Sequence, residues 1–347
     1  MTSSDAEGSI LLVGANGGIS IGFVVNLLKS SYALTHSAIY AVRDHARAAA
    51  LKKTLESAPS GHRYIILPVD LTSQSSIRSF AADINSRIAS GSLAPISALI
   101  LNAGVMDTDK EYFTDDGFER TFVVNYLSCF LLTLLLLGSM DRDHGRVIYV
   151  GSTTSDVRWW VHQNSYSRKE QRDEIVKASP EMMAKGLETF PDGDVMKTGQ
   201  RRYARSKILL EAWMYELQRR LNSDPSLRNI SVLGHDPGWI GTTDLNRNAN
   251  VPIRTLLAVL SLVARFTWIF SSNPILRTAE MNGGFLLTLC FDREKFVEHP
   301  KALYVDGGVL YKTVPEAEGR EFQGNLWKKS LEFVNFKGEE TVLKEWK

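Results

Sequence analysis

Ser9-Ile10-Leu11-Leu12-Val13-Gly14-Ala15-Asn16-Gly17-Gly18-Ile19-Ser20 is an apolar run, a glycine-rich turn and the start of a segment, 19–29, with apolar residues at helical spacing. The pattern predicts a buried strand, a tight turn and a helix. That arrangement aims the first amides of the helix at whatever sits above the turn, which is how a backbone holds a pyrophosphate. Glycines also serve tight turns with no ligand at all, so the turn by itself leaves both readings open.

The same alternation continues outward. Residues 38–42, 64–69, 96–101, 146–150 and 230–233 read as strands, and 46–56, 75–88, 118–138 and 203–221 as helices between them. Strands that alternate with helices imply right-handed crossovers and a doubly wound, Rossmann-type α/β fold, with a parallel sheet covered on both faces. No internal repeat or low-complexity linker divides the chain, so one elaborated domain over 1–347 is expected. Two stretches fit the alternation poorly: 156–202, an insertion, and 241–347, a substrate-side and structural extension. Within the latter, 301–309 reads as a last edge strand with a Gly307-Gly308 turn, and 322–333 as an amphipathic helix.

Composition narrows the function. Forty Lys and Arg face 39 Asp and Glu, so no global positive field gathers nucleic acid, and an anionic ligand must be held locally. Cys129 and Cys290 lie far apart in apolar runs, which reads as two buried thiols in a reducing compartment. The polar stretch 1–8 lacks the features of a signal peptide, and a cytoplasmic location is expected. Residues 130–137 are too short to span a bilayer, and 251–270 carry Pro252, Arg254 and Arg265, so no transmembrane span is expected. No spacing of His, Cys, Asp or Glu suggests a metal site, and His235 reads as a loop or core histidine.

Further motifs follow in order: Asp70-Leu71 after the third strand, Asn102-Ala103-Gly104 ending the fourth, Ser152 after the fifth, Tyr203-Ala204-Arg205-Ser206-Lys207 in a later helix, and Pro237-Gly238. Tyr203 and Lys207, four apart on a helix, project from one face. That spacing alone is common by chance. Taken together, over roughly 10–243, these motifs resemble those of the short-chain dehydrogenase/reductase family, with a longer stretch between Ser152 and Tyr203 than in compact members. Val13 stands where the family has threonine, and Ser20 where it has the last glycine of the turn.

The resemblance implies a catalytic set of Asn125, Ser152, Tyr203 and Lys207. Tyr203 would be the general acid in carbonyl reduction and the base in the reverse direction. A phenol ionises near pH 10, so a cation must favour its phenolate, and Lys207 would supply it. Ser152 would bond the substrate oxygen, and Asn125 would anchor a water linking Lys207 to solvent. Cofactor contacts would come from Gly14, Asn16, Gly18 and Ile19 at the turn, from Asp70 and Leu71 at the adenine, and from Asn102, Ala103 and Gly104 beside the ribose. Tyr203, Lys207, Pro237, Gly238, Ile240 and Thr242 would serve the nicotinamide end. Arg43, at the end of the second strand with no carboxylate in the NAD-preferring position, favours NADP, because a guanidinium pairs with a 2′-phosphate. A solvated loop cation is the other reading of Arg43.

The expected function is therefore an NADP(H)-dependent oxidoreductase interconverting a ketone and a secondary alcohol on a bulky hydrophobic small molecule, such as a terpenoid, steroid-like or polyketide secondary metabolite. Two rivals stand: a non-redox isomerase, epimerase or cyclase on the same fold, and a nucleotide-sensing regulatory protein. The insertion, with Trp159, Trp160, Tyr166, Met182, Met183 and Phe190, is expected to form an aromatic-lined substrate lid, against a solvated excursion. In 251–270, Phe266, Trp268, Ile269 and Phe270 are expected to wall the pocket, with a patch for peripheral membrane contact as the alternative. Oligomeric state is not readable from the sequence, and homodimer and monomer both stand: many members of the family pair through the helices carrying the Asn and Tyr, a surface that the insertion would be placed to block.

Overall fold

The computed structural model describes residues 6–156, 179–187, 193–240, 255, 259–260 and 262–347. Among them, eight strands form one sheet: β1 (Gly8–Val13), β2 (His36–Val42), β3 (Arg63–Pro68), β4 (Ile96–Leu101), β5 (Arg146–Val150), β6 (Ser231–Asp236), β7 (Leu303–Asp306) and β8 (Val309–Tyr311). Their order is β3-β2-β1-β4-β5-β6-β7-β8, parallel throughout except for β8, which turns back antiparallel on β7. The order reverses between β1 and β4, where the crossovers leave to opposite faces and a crevice opens at the carboxyl ends of the strands.

Among the described residues the helices of more than four residues are α1 (Gly18–Lys29), α2 (Ala49–Leu55), α3 (Gln74–Ala89), α4 (Arg120–Ser139), α5 (Pro180–Lys185), α6 (Val195–Ser223), α7 (Ala279–Phe291) and α8 (Arg320–Phe333). Alternate strand residues serve opposite layers. Leu11, Val13, Ile39, Leu99 and Val147 pack under α3, α4, α6 and α8, whereas Ile10, Leu12, Tyr40, Ile100 and Ile148 pack under α1, α2 and α7. This is the doubly wound, Rossmann-type fold expected. In α1, Phe23, Val24 and Leu27 are wholly buried, each contributing roughly 1.5–3 kcal/mol.

α7 lies in the stretch that fitted the alternation poorly, yet it fixes α1 in place. A Cβ on Gly22 would meet the Ala279 carbonyl oxygen at 1.9 Å, and one on Gly283 would meet the Gly22 carbonyl carbon at 2.1 Å. The two helices cross backbone to backbone, a contact that only glycine allows.

Other boundaries differ from expectation for local reasons. α6 begins eight residues before Tyr203 because Asp194 caps it, accepting from the Lys197 amide at 3.0 Å. Residues 301–309 are not one edge strand. They contain β7, and Gly307, with φ of 59°, turns the chain into β8. α4 is long and apolar enough to cross a membrane, more than 130–137 suggested, but it is buried along nearly its whole length in the core. Cys129 and Cys290 are free and buried, and His235 is a core residue of β6, bonded to Asn282 at 3.0 Å and held neutral by burial, which lowers its pKa to about 3.

Candidate active site

The crevice is a cavity of about 650 Å³ running from the β1–α1 turn to the ends of β5 and β6. That volume is within the range of small-molecule and cofactor sites. At one end Gly14, Asn16, Gly18 and Ile19 line it. Gly14 has φ of 78°, and a Cβ there would lie 2.8 Å from Ala103 Cα, so the turn rests directly on the strand carrying Asn102-Ala103-Gly104. The N-cap of α1 is Gly17, which has no side chain to cap the first amides. Asn16 braces the turn, donating to the Arg47 carbonyl at 3.2 Å and accepting from the Leu51 amide at 3.3 Å. Ser20 fits where a glycine was expected because its hydroxyl is buried and accepts from Asn102 Nδ2 at 2.6 Å.

Arg43, Asp70 and Leu71 line the cavity beside this turn. Arg43 is exposed, and its neighbour Asp44 is engaged elsewhere, accepting from the Ala46 amide at 2.8 Å and pairing with Arg47 at 3.3 Å. Asp70 is set by its own turn, accepting from the Thr72 amide and hydroxyl at 2.9 and 2.7 Å. A backbone cradle that a Cβ would fill, uncapped first-turn amides and a cation at the rim fit the phosphates of a nicotinamide dinucleotide.

At the other end Ser152, Tyr203 and Lys207 meet. The Lys207 ammonium donates to the Val150 carbonyl at 2.7 Å and lies 5.3 Å from the centre of the Tyr203 ring. Burial lowers its pKa to about 8. Burial also raises the Tyr203 phenol above its ordinary value, while a hydrogen bond from Ser152 opposes the rise. Ser152 itself accepts from the Thr154 amide and hydroxyl at 3.3 and 2.9 Å. Asn125 lies in a π-helical turn, Val123–Leu127, and does not line the cavity. Its side chain accepts from the Val105 amide at 2.8 Å and donates to the Val105 carbonyl at 3.0 Å and Ser206 Oγ at 2.9 Å, tying the loop after β4 to α6.

Pro237, Gly238 and Ile240 line the cavity from the β6 side, and Thr242 lies outside the described residues. The sequence reading missed Asp236, buried beneath them. Its carboxylate accepts from the Gly238 amide at 2.8 Å, from the Thr153 amide, and from the Tyr304 hydroxyl at 3.4 Å, so it joins the Ser152 loop to the Pro-Gly turn. Burial raises its pKa to about 7. An aspartate ahead of a Pro-Gly turn was the available signal.

The substrate side differs from expectation. Trp159, Trp160, Tyr166 and Phe190 lie outside the described residues. Met183 and Ala184, in α5, are core residues, and Glu181 pairs with Lys329 of α8 at 2.7 Å, so this part of the insertion packs on the body of the protein. Phe266, Trp268, Ile269 and Phe270 do not wall the cavity: they are exposed. Ala264 is buried, and the Thr267 hydroxyl lies 2.8 and 2.9 Å from the Ala264 and Leu276 carbonyls, between which its proton is shared. The apolar lining comes instead from Met106, Trp239, Leu260 and Leu276.

Comparison with known proteins finds relatives along the chain. The family profile for short chain dehydrogenases matches residues 9–168. A short-chain dehydrogenase of Talaromyces variabilis, iccH, is 35% identical over 98% of this chain and 99% of its own length. The polyprenol dehydrogenase of Mus musculus is 30% identical over 68% of this chain and 60% of its own. Among solved structures, the angucycline C-6 ketoreductase LanV with bound NADP superposes with a TM-score of 0.57 over 88% of this chain and 96% of its own, at 19% identity, a likeness of fold.

Proposed function

The chain belongs to the short-chain dehydrogenase/reductase family, a family of oxidoreductases, and from that premise we propose that it interconverts a ketone and a secondary alcohol on a bulky hydrophobic substrate with NADP(H). The observation that carries the reading is the shared cavity. One end has the features of a phosphate cradle and the other has a phenol, a hydroxyl and a buried ammonium.

Gly14, Gly18, Ile19 and the first amides of α1 would hold the pyrophosphate, Asp70 and Leu71 the adenine, and Asn102, Ala103 and Gly104 the adjoining ribose. Arg43 supports NADP over NAD, since it is exposed at the rim and its acidic neighbour is already paired. Pro237, Gly238 and Ile240, with Thr242, would meet the nicotinamide end. The chemistry that NADP(H) supplies when bound is the hydride.

Tyr203 donates its phenolic proton to the carbonyl oxygen as that oxygen gains charge, and takes it back in alcohol oxidation. Ser152 donates to the same oxygen and holds it in line with Tyr203. The Lys207 charge favours the phenolate left behind, and the buried setting strengthens that attraction. Asn125 keeps the loop after β4 and α6 in register, so that these groups stay aligned. Met106, Trp239, Leu260 and Leu276 would receive an apolar substrate body.

The test is consumption of NADPH with a panel of hydrophobic ketones, and its formation with the matching alcohols, for the wild type and Tyr203→Phe. Turnover in the wild type alone supports the reading. Conversion of substrate without change of oxidation state would replace it with a non-redox activity.

A further inference from the structure

The segment that failed to wall the cavity makes a surface feature of its own. Phe266, Trp268 and Phe270 are 61%, 64% and 86% exposed, and with Ile269 they form a nearly continuous apolar projection at a turn. Leu262 and Val263, just before it, are exposed as well. Such a run is not scattered surface hydrophobicity but a contiguous patch, the kind that marks an interaction site.

Charge says what kind of partner fits. Between Asp244 and Glu280 the sequence holds Arg247, Arg254, Arg265 and Arg277 and no carboxylate. Arg277 is buried and pairs with Asp306 at 2.7 Å, whereas Arg265 is exposed within the patch itself. A second copy of this face would bring its own Arg265 and, from the stretch, no carboxylate to pair with it. Anionic lipid headgroups supply that missing charge, and Trp and Phe side chains suit the boundary between headgroups and acyl chains.

We infer that this projection docks the protein on an anionic lipid bilayer, with Phe266, Trp268 and Phe270 in the interface and Arg265 among the headgroups. The surface adjoins the cavity mouth: Val259 is exposed while Leu260, next to it, lines the cavity, and Leu276 does so from the far side of the turn. If the oxidoreductase reading holds, on which this one extension rests, docking would open the cavity toward a substrate dissolved in the membrane.

The test is co-sedimentation of the full chain with phosphatidylcholine vesicles and with mixed phosphatidylcholine and phosphatidylserine vesicles. The wild type is expected to pellet with the mixed vesicles and to be released by salt. Trp268→Ser/Phe270→Ser is expected to lower partitioning by ~10-fold or more on mixed vesicles. Arg265→Glu is expected to lower it only when phosphatidylserine is present. Quenching of wild-type tryptophan fluorescence by brominated lipid gives a readout that needs no variant to fold. Absence of binding to both vesicles, equal binding by the double variant with its fold intact, or a wild-type dimer that the double variant dissolves and vesicles do not recruit would each overturn the proposal. NADPH binding is measured in parallel on the same samples, so a failure of the catalytic reading leaves the vesicle result standing.

Discussion

The ammonium of Lys207 lies 5.3 Å from the centre of the Tyr203 ring and donates to the Val150 carbonyl at 2.7 Å, buried at the cavity wall. Its cost and its use have the same origin. Desolvation lowers its pKa to about 8, so at neutral pH it is a buried cation that a neighbouring phenolate would welcome. Lys207→Met is expected to cut kcat/KM by about 10²–10⁴-fold. Removal of the desolvation cost should leave the thermal midpoint of the free protein unchanged or higher. Activity of the wild type should fall as pH rises through about 8, where Lys207 loses its proton. A variant that is both inactive and markedly destabilised would show that the lysine is chiefly structural.

Glu211 on α6 offers a second titration test. It is wholly buried, accepts from the Val314 amide at 3.0 Å, and is raised to about 8 chiefly by desolvation. The unfolded chain releases this proton near pH 4 while the folded protein keeps it, so its contribution to stability is complete below that value and is lost as pH rises toward 8. Asp236, raised to about 7 by burial, acts in the same direction. Glu211→Gln preserves an acceptor for Val314, and should flatten the fall in stability between about pH 4 and 8 by ~1–3 kcal/mol. Denaturant midpoints across that range measure it, and an unaltered slope would contradict the assignment.

The crossing of α1 and α7 predicts a linked loss of stability and nucleotide binding. Gly22→Ala places a methyl where the Ala279 carbonyl oxygen stands 1.9 Å away, so the helices must part. A cost of roughly 1–3 kcal/mol in unfolding free energy is expected. NADPH affinity should weaken as well, because the displaced helix carries the amides of the phosphate turn. Urea unfolding and nucleotide titration of the same sample check both.

Much of this was legible because strand and turn chemistry are local. The runs ending at Val13, Leu101 and Val150 are apolar almost throughout and bounded by turn residues, and the residues that follow each run line one cavity. α7 was not legible, since Gly283 and Gly284 look like breakers until Gly22 is seen against Gly283. Nor was the fit of Ser20, whose hydroxyl depends on Asn102, 82 positions away. Asp236 escaped notice because its partners, Thr153, Gly238 and Tyr304, come from three separate elements. The exposure of Phe266 to Phe270 goes with a turn in which the single Thr267 hydroxyl proton is shared between the Ala264 and Leu276 carbonyls, a feature that hydropathy does not encode.

Binding of NADP(H) in this cavity through the β1–α1 turn and the Arg43 rim is read from titration with NADPH and NADH, followed by energy transfer from protein tryptophan. The wild type should bind NADPH more tightly than NADH, and Arg43→Ala should weaken NADPH by about 10–100-fold while leaving NADH nearly unchanged. Binding of neither nucleotide, or equal binding of both that Arg43→Ala does not alter, would mean that the turn and Arg43 do not hold NADP(H).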